Sequence, residues 1–325
     1  MRHLQTYRIF EAKKAIGLNT KQMSFLKKYV ANISPGRWGW DVSYSTDPPI
    51  VNVFTSLNTS QYSLRKKINS MQGIHFGKIQ KDFILDDIII STYKGFPQEV
   101  VGDFRIRTGA KLNVPLRDFP DVKIGGNFLI GASSVESLEG CPEEVGSFQA
   151  DNTRILDMVG CPKRYTNPDS GWKGNKIALM YNTRLVSLEG IPDDVELDKI
   201  GIVDPPLGAP GRSIISSEDL LDGLAEFRKI GSWIPYLIRI REKYTLDGAI
   251  GVNAYFDSLR MKEYLDSKIT PEAVQEFIDL DPAKAAVALK GMWNQMKNDP
   301  KYSGIKFPSY SEEADLLGDL SDIGI

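Results

Sequence analysis

Apolar positions in the middle of the chain recur in a fixed frame. Counted from an apolar residue to a glycine twelve positions on, Phe83, Leu85, Ile88, Ile90, Tyr93 and Gly95 fill offsets zero, two, five, seven, ten and twelve. Phe128, Ile130, Ser133, Val135, Leu138 and Gly140 fill the same offsets, as do Phe148, Ala150, Thr153, Ile155, Met158 and Gly160. A looser copy is expected at Ala178, Met180, Thr183, Leu185, Leu188 and Gly190; another, Phe104 to Asp118, carries two extra residues and replaces the glycine. Each copy is followed by an apolar slot (Ile74, Phe96, Phe119, Cys141, Cys161, Ile191). A proline slot comes next (Pro97, Pro120, Pro142, Pro162, Pro192), with spacings of 23, 22, 20 and 30. Offsets zero and two are same-face residues of a strand, and the later offsets turn back toward the same interior. Glycine permits a bend that a side chain would block, and proline stops the ladder. So short a unit cannot bury its apolar face alone, so a period near twenty predicts stacked coils over about 68–200.

The flanks follow other patterns. Leu4, Tyr7 and Phe10 can share a helical face, and Asn19-Thr20 caps a helix expected to run to about Asn32, ended by Pro35-Gly36. Trp38 to Val42 and Pro49 to Phe54 read as strands that seal the start of the stack, with Trp38 and Trp40 as packing residues. Asp204-Pro205-Pro206 marks the exit. Helices are expected from Ser217, over Trp233–Lys243 and Ala254–Ser267, then over about Pro271–Asp279 and Pro282–Lys297. Thr270 and Asp281 each stand just before a proline at a first helical position.

Composition narrows the function classes. With 325 residues, a net charge of −2 and 42% hydrophobic content, the chain is of ordinary globular make-up and has no basic excess to attract nucleic acid. A nucleic-acid role would need Arg2, Arg8, Lys13, Lys14, Lys27 and Lys28 on one exposed face. No apolar run approaches the ~20 residues of a membrane span, and no secretory signal opens the chain, so we expect a soluble protein made in a cytosol.

The repeat frame also absorbs the tempting chemistry. Cys141 and Cys161 fall in an apolar slot and read as core residues on adjacent coils, kept reduced in a cytosol. His75 falls in a proline slot and reads as a turn residue, and the other histidine is His3, so neither a catalytic triad nor a histidine zinc site is expected. Asp279 and Asp281 resemble paired carboxylates, but capping accounts for Asp281. We expect no catalytic, metal or cofactor site. An enzyme of unrecognised class is a remaining alternative, with Asp204 or Arg212 near its pocket.

Two further stretches stand out. Leu316, Leu317, Leu320 and Ile323 form an apolar stripe in an acidic tail. The tail reads as a docking motif for a partner's groove, as a frayed end, or as a segment folded onto the basic N-terminus, and the sequence leaves the three open. The N-terminal Met1–Lys14 resembles the short basic and aromatic leaders of proteins of large tailed bacteriophages. In some of these a prohead protease cuts after an apolar-x-Glu triplet, a pattern matched here by Ile9, Phe10 and Glu11 followed by Ala12.

The runs Asp82-Phe83, Val101-Gly102-Asp103-Phe104, Gly125-Gly126-Asn127-Phe128 and Val145-Gly146-Ser147-Phe148 alternate with Ser-Leu-Glu-Gly-x-Pro at Ser137 and Ser187. Over about 38–200 the pattern resembles the leucine-rich-repeat-like proteins of large tailed bacteriophages. Where leucine-rich repeats hold an asparagine, this chain has Ser133, Thr153, Thr183 or the apolar Ile88. The expected fold is α+β: a leader and helix (1–34), capping strands and a short leucine-rich-repeat-like β-solenoid (35–205), a C-terminal helical domain sealing it (206–308) and the acidic tail (309–325). The resemblance implies a solenoid fold and a phage origin, and little chemistry. A solenoid presents an extended ladder of side chains that suits protein recognition, so we expect a non-enzymatic protein-binding or structural module with a phage structural or host protein as its partner, and the leader points to packaging in the virion. The alternative is a phage factor acting in the host cytoplasm on a host defence or regulatory protein.

Overall fold

The computed structural model describes residues 17–30, 38–60, 71–86, 88–106, 111–131, 134–167, 171–181, 184–203, 215–247 and 252–285. The fold is α+β: a parallel β-solenoid followed in the chain by a helical region. It forms two compact units. The first holds the solenoid up to Ile155, with Val159–Asn182 and Gly190–Val203; the second holds the helices together with Leu156–Met158 and Thr183–Glu189. In the sequence frame those two short segments fill later offsets of their copies.

In the first unit, helix α1 (Thr20–Tyr29) is the first element among the described residues. The Asn19 side chain accepts from the Gln22 N–H while the Gln22 side chain accepts from the Asn19 N–H, which satisfies two otherwise orphaned donors. The helix ends sooner than the sequence suggests, because Val30 leaves it to bridge Leu57. Its buried face carries Phe25 and Leu26, and the Phe25 ring lies 6.5 Å from that of Phe76. Strands Trp40–Ser43 and Ile50–Val53 pair antiparallel, and Ile50–Val53 then pairs parallel with His75–Ile79. From there every pairing in the described solenoid is parallel.

The main sheet has seven strands: Leu57–Asn58, Phe83–Leu85, Phe104–Ile106, Phe128–Ile130, Phe148–Asp151, Ile177–Met180 and Ile200–Val203, in that spatial order. Strand period two sends Phe83, Phe104, Phe128 and Phe148 inward in one row, all fully buried. Their rings follow one another at 5.0, 5.6 and 6.1 Å. Each such burial stabilises the fold by roughly 1.5–3 kcal/mol. Ile88, Ile90, Val135, Leu138 and Ile155 close the interior at the later offsets, and Met158, Leu185 and Leu188 are buried in the second unit.

One register departs from expectation. Ile177 and Leu179, not Ala178 and Met180, pair with Phe148 and Ala150. Ile177, Ala178 and Leu179 are all apolar and all buried, so alternation could not choose the inward pair. The last coil therefore has one more residue between its strand and Leu185 than the preceding coil has before Ile155. His75 also departs: it opens a strand and is half-buried. Thr153 is buried as its slot requires, while Ser133 and Thr183 lie outside the described residues.

The corners need glycine. Gly95, Gly140, Gly160 and Gly190 have φ of +88°, +90°, +88° and +102°, a region side chains avoid. At Gly140 an added Cβ would lie 2.2 Å from the carbonyl oxygen of Leu116 on the coil before.

A polar ladder holds neighbouring coils in step. The Asp103 N–H donates to Asp82 Oδ1 at 3.0 Å, and the Asn127 N–H donates to Asp103 Oδ1 at 2.8 Å. The Ser147 hydroxyl then donates to Asn127 Oδ1 at 2.6 Å. These residues precede the inward phenylalanines, and Asp82 and Asp103 each accept a backbone N–H from the next coil. On another side of the coils the charges at Lys78, Glu99, Lys123, Glu144 and Arg164 alternate. Register puts Glu99 opposite both Lys78 and Lys123, and Glu144 opposite Arg164. Lys78 reaches Glu99 at 2.6 Å and Arg164 reaches Glu144 at 2.9 Å.

The second unit contains α2 (Ser217–Ile230), α3 (Ile234–Asp247), α4 (Val252–Lys268) and α5 (Pro271–Leu280). Ser216 and Asp219 form a capping box at the start of α2, and Gly231 ends it at φ +73°. Thr270 accepts from the Ala273 N–H with Pro271 at the first position of α5. In this unit the Tyr236 hydroxyl donates to the Val186 carbonyl at 2.7 Å, and Gly223 leaves room for the Tyr236 ring.

Candidate functional site

The outward positions of the seven-stranded sheet are the interstitial residues of the repeat frame. Between the buried pairs stand Ile84, Arg105, Leu129, Gln149, Ala178 and Gly201, brought side by side by parallel register. A cavity of about 240 Å³ opens on this face, edged by Arg105, Leu129, Gly131, Gln149, Asp151 and Met180. Gly131 widens it by presenting no side chain. The Arg105 guanidinium is fixed over the strands by the Asp103 carboxylate, with Nε donating to Oδ2 at 3.2 Å and a second bond from its terminal nitrogen. Asp103 thus serves the backbone ladder with one oxygen and Arg105 with the other. Asp151 accepts from the Asn152 side-chain amide at 2.9 Å.

The lining combines one cation, one carboxylate, an amide and apolar side chains on a rigid sheet. It offers hydrogen bonds and apolar area to an elongated partner surface; it holds no nucleophile beside a base. Groups whose titration burial displaces are elsewhere. The phenols of Tyr93, Tyr165, Tyr236 and Tyr264 are pushed up mainly by desolvation. The Cys141 thiol is pushed up by desolvation and by the nearby Cys161, which makes it a poor nucleophile.

The residues singled out by sequence fall as follows. Cys161 is buried, its thiol donating to the Gly190 carbonyl at 3.3 Å, while Cys141 is only half-buried at its corner; both are free thiols. Trp40 is buried and Trp38 is 45% exposed, with their rings 4.8 Å apart and the Lys27 ammonium 5.0 Å from the Trp38 ring. Asp281 accepts from the Lys284 N–H at 3.1 Å, as a helix cap should. Ile9, Glu11 and Ala12 of the processing pattern lie outside the described residues, as do Leu316, Leu317, Leu320 and Ile323 of the tail. The same holds for Asp204 and Arg212, and for Arg2, Arg8, Lys13 and Lys14 of the basic segment.

Among the described residues no group of three or more His, Cys, Asp or Glu could hold a metal ion. No described helix is long and apolar enough to cross a membrane. Arg105, Leu129 and Gln149 were not singled out by sequence, although the frame signals them, because every position between two inward offsets of a strand must face out. Met180 was expected inward at offset two, and the register that pairs Leu179 with Ala150 puts it beside Asp151 instead. Comparison with protein-family models, with curated proteins and with solved structures returns no match.

Proposed function

We propose that this chain is a non-enzymatic protein-binding module that engages its partner through the outward face of the seven-stranded sheet. The observation that supports the reading is the mixed cavity at Arg105, Leu129, Gln149, Asp151 and Met180, assembled from four successive strands. A parallel sheet holds such side chains in fixed positions, so little ordering entropy is lost on binding. The partner is a phage structural protein, and the chain is carried in the particle after cleavage behind Glu11. This part rests on the leader and on the resemblance of the repeats.

Two experiments test the reading. Leu129→Arg with Gln149→Glu should abolish capture of the partner while the unfolding midpoint stays within error; equal recovery by wild type and variant would exclude the sheet face. Mass spectrometry of purified particles should find a form beginning at Ala12. If particles lack the protein and host lysate yields a host protein that the double variant loses, the partner is instead a host factor and the site of action the host cytoplasm.

A further inference from the structure

The Ser-Leu-Glu turn occurs twice, and the second unit shows what one copy does. Ser187 is fully buried, with its hydroxyl 3.3 Å from that of Tyr264. Glu189 receives the Lys268 ammonium at 2.7 Å, and that ammonium also sits 5.6 Å from the centre of the Tyr264 ring. Tyr264 and Lys268 are four apart on α4 and therefore share one face. Asp157, at the position of Ser187 in the preceding copy, bonds the same Tyr264. The Glu189 N–H donates to Ser187 Oγ at 3.3 Å, so the turn itself presents hydroxyl and carboxylate together.

The other copy, in the first unit, has the same local build. The Glu139 N–H donates to Ser137 Oγ at 3.2 Å, and Leu138 is buried as Leu188 is. Here, however, Ser137 and Glu139 are exposed. Among the described residues neither side chain has a partner outside its own turn. Both edge a cavity of about 330 Å³, whose opposite wall is formed by Asn113, Pro115 and Arg117. Glu136 is turned toward Arg154, at 3.9 Å.

We propose that the Ser137-Leu138-Glu139 turn and the cavity beside it form a docking site for a partner helix that presents a tyrosine and, four residues later, a lysine. The tyrosine hydroxyl meets Ser137 and the lysine ammonium meets Glu139, as Tyr264 and Lys268 meet Ser187 and Glu189. Arg117 keeps the cavity from being uniformly acidic, so a basic peptide without the tyrosine and lysine in register gains little. This site is independent of the sheet face and of what that face binds.

The test uses the full chain and a fluorescent, lactam-bridged peptide with the sequence of residues 252–268, bridged because an isolated helix of this length is marginal in water. Anisotropy should saturate. Glu139→Lys should weaken binding by about tenfold, and a peptide with Lys268→Glu should recover most of that loss on the Glu139→Lys protein. Glu139→Gln, which reverses no charge, should weaken binding by about threefold and serves if the lysine variant fails to fold. Any of three results overturns the proposal: no saturation below about 1 mM, equal binding of a scrambled peptide, or binding that ignores Glu139 and is lost with Glu189→Lys.

Discussion

Asp103 is the residue through which the polar ladder can be measured. Its Oδ1 accepts the Asn127 N–H at 2.8 Å, its Oδ2 holds Arg105, and its side chain is only 16% exposed. Asp103→Ala leaves a partly buried N–H without its acceptor, and a hydrogen bond to a charged group contributes about 1.5–3 kcal/mol. The pair with Arg105, whose side chain is 33% exposed, adds less than about 1 kcal/mol. The alanine variant should therefore lose about 3 kcal/mol. Asp103→Asn keeps an oxygen for the Asn127 N–H but turns an amide NH2 toward Arg105, so it gives up the charge and the Arg105 pair and should lose about 1 kcal/mol. Urea unfolding followed by far-UV circular dichroism gives the two values, and hydrogen exchange localises them. The Asn127 amide should exchange faster in the alanine variant and nearly as in wild type in the asparagine variant. Equal losses for the two variants, or a loss below about 1 kcal/mol for alanine, would refute the ladder as a source of stability.

Gly140→Ala should cost about 3 kcal/mol or more in the same denaturation assay, since φ is +90° and the new Cβ meets the Leu116 carbonyl at 2.2 Å. Tyr236→Phe should cost about 1–2 kcal/mol by stranding the buried Val186 carbonyl, with the loss confined to probes in the helical unit. The Asp281 carboxyl is held below its ordinary value chiefly by the Lys284 N–H, so its cap contributes above the ordinary carboxylate pKa and is lost as pH falls through the depressed one. A carbon-detected NMR titration should place its midpoint below that of an unstructured peptide, and a midpoint at or above the peptide's would contradict the cap.

How much of this could be read from sequence depends on which way a residue faces. Inward positions had to be apolar in every coil, so Phe83, Phe104, Phe128 and Phe148 announced both the period and the strands. Two helix starts were equally legible, because Asn19 and Thr270 are capping residues before apolar periodicity, whereas the cap of α2 is Ser216, one residue before the Ser217 at which the sequence placed its start. The register at Ile177 was not legible, since three consecutive apolar residues fit either alternation. His75 was assigned by its slot, yet strand pairing with Ile50 decided its conformation. The cavity on the sheet was hidden for the opposite reason. Arg105, Leu129 and Gln149 are chemically unrelated, and no period links residues that share only an outward direction.

Outward positions that do repeat are therefore informative, because inward packing cannot account for them. The alternating charges at Lys78, Glu99 and Lys123, and at Glu144 and Arg164, repeat because register sets opposite signs side by side across one coil spacing, where like charges would repel. Ser137 and Glu139 match Ser187 and Glu189, but the bond from Ser137 to the Glu139 N–H needs only the serine. Among the described residues of the first unit nothing uses the Glu139 carboxylate. In the second unit the matching carboxylate is half of an ion pair with α4. An identical turn with its carboxylate engaged in one place and free in another separates the part of the motif that bends the chain from the part that receives a helix.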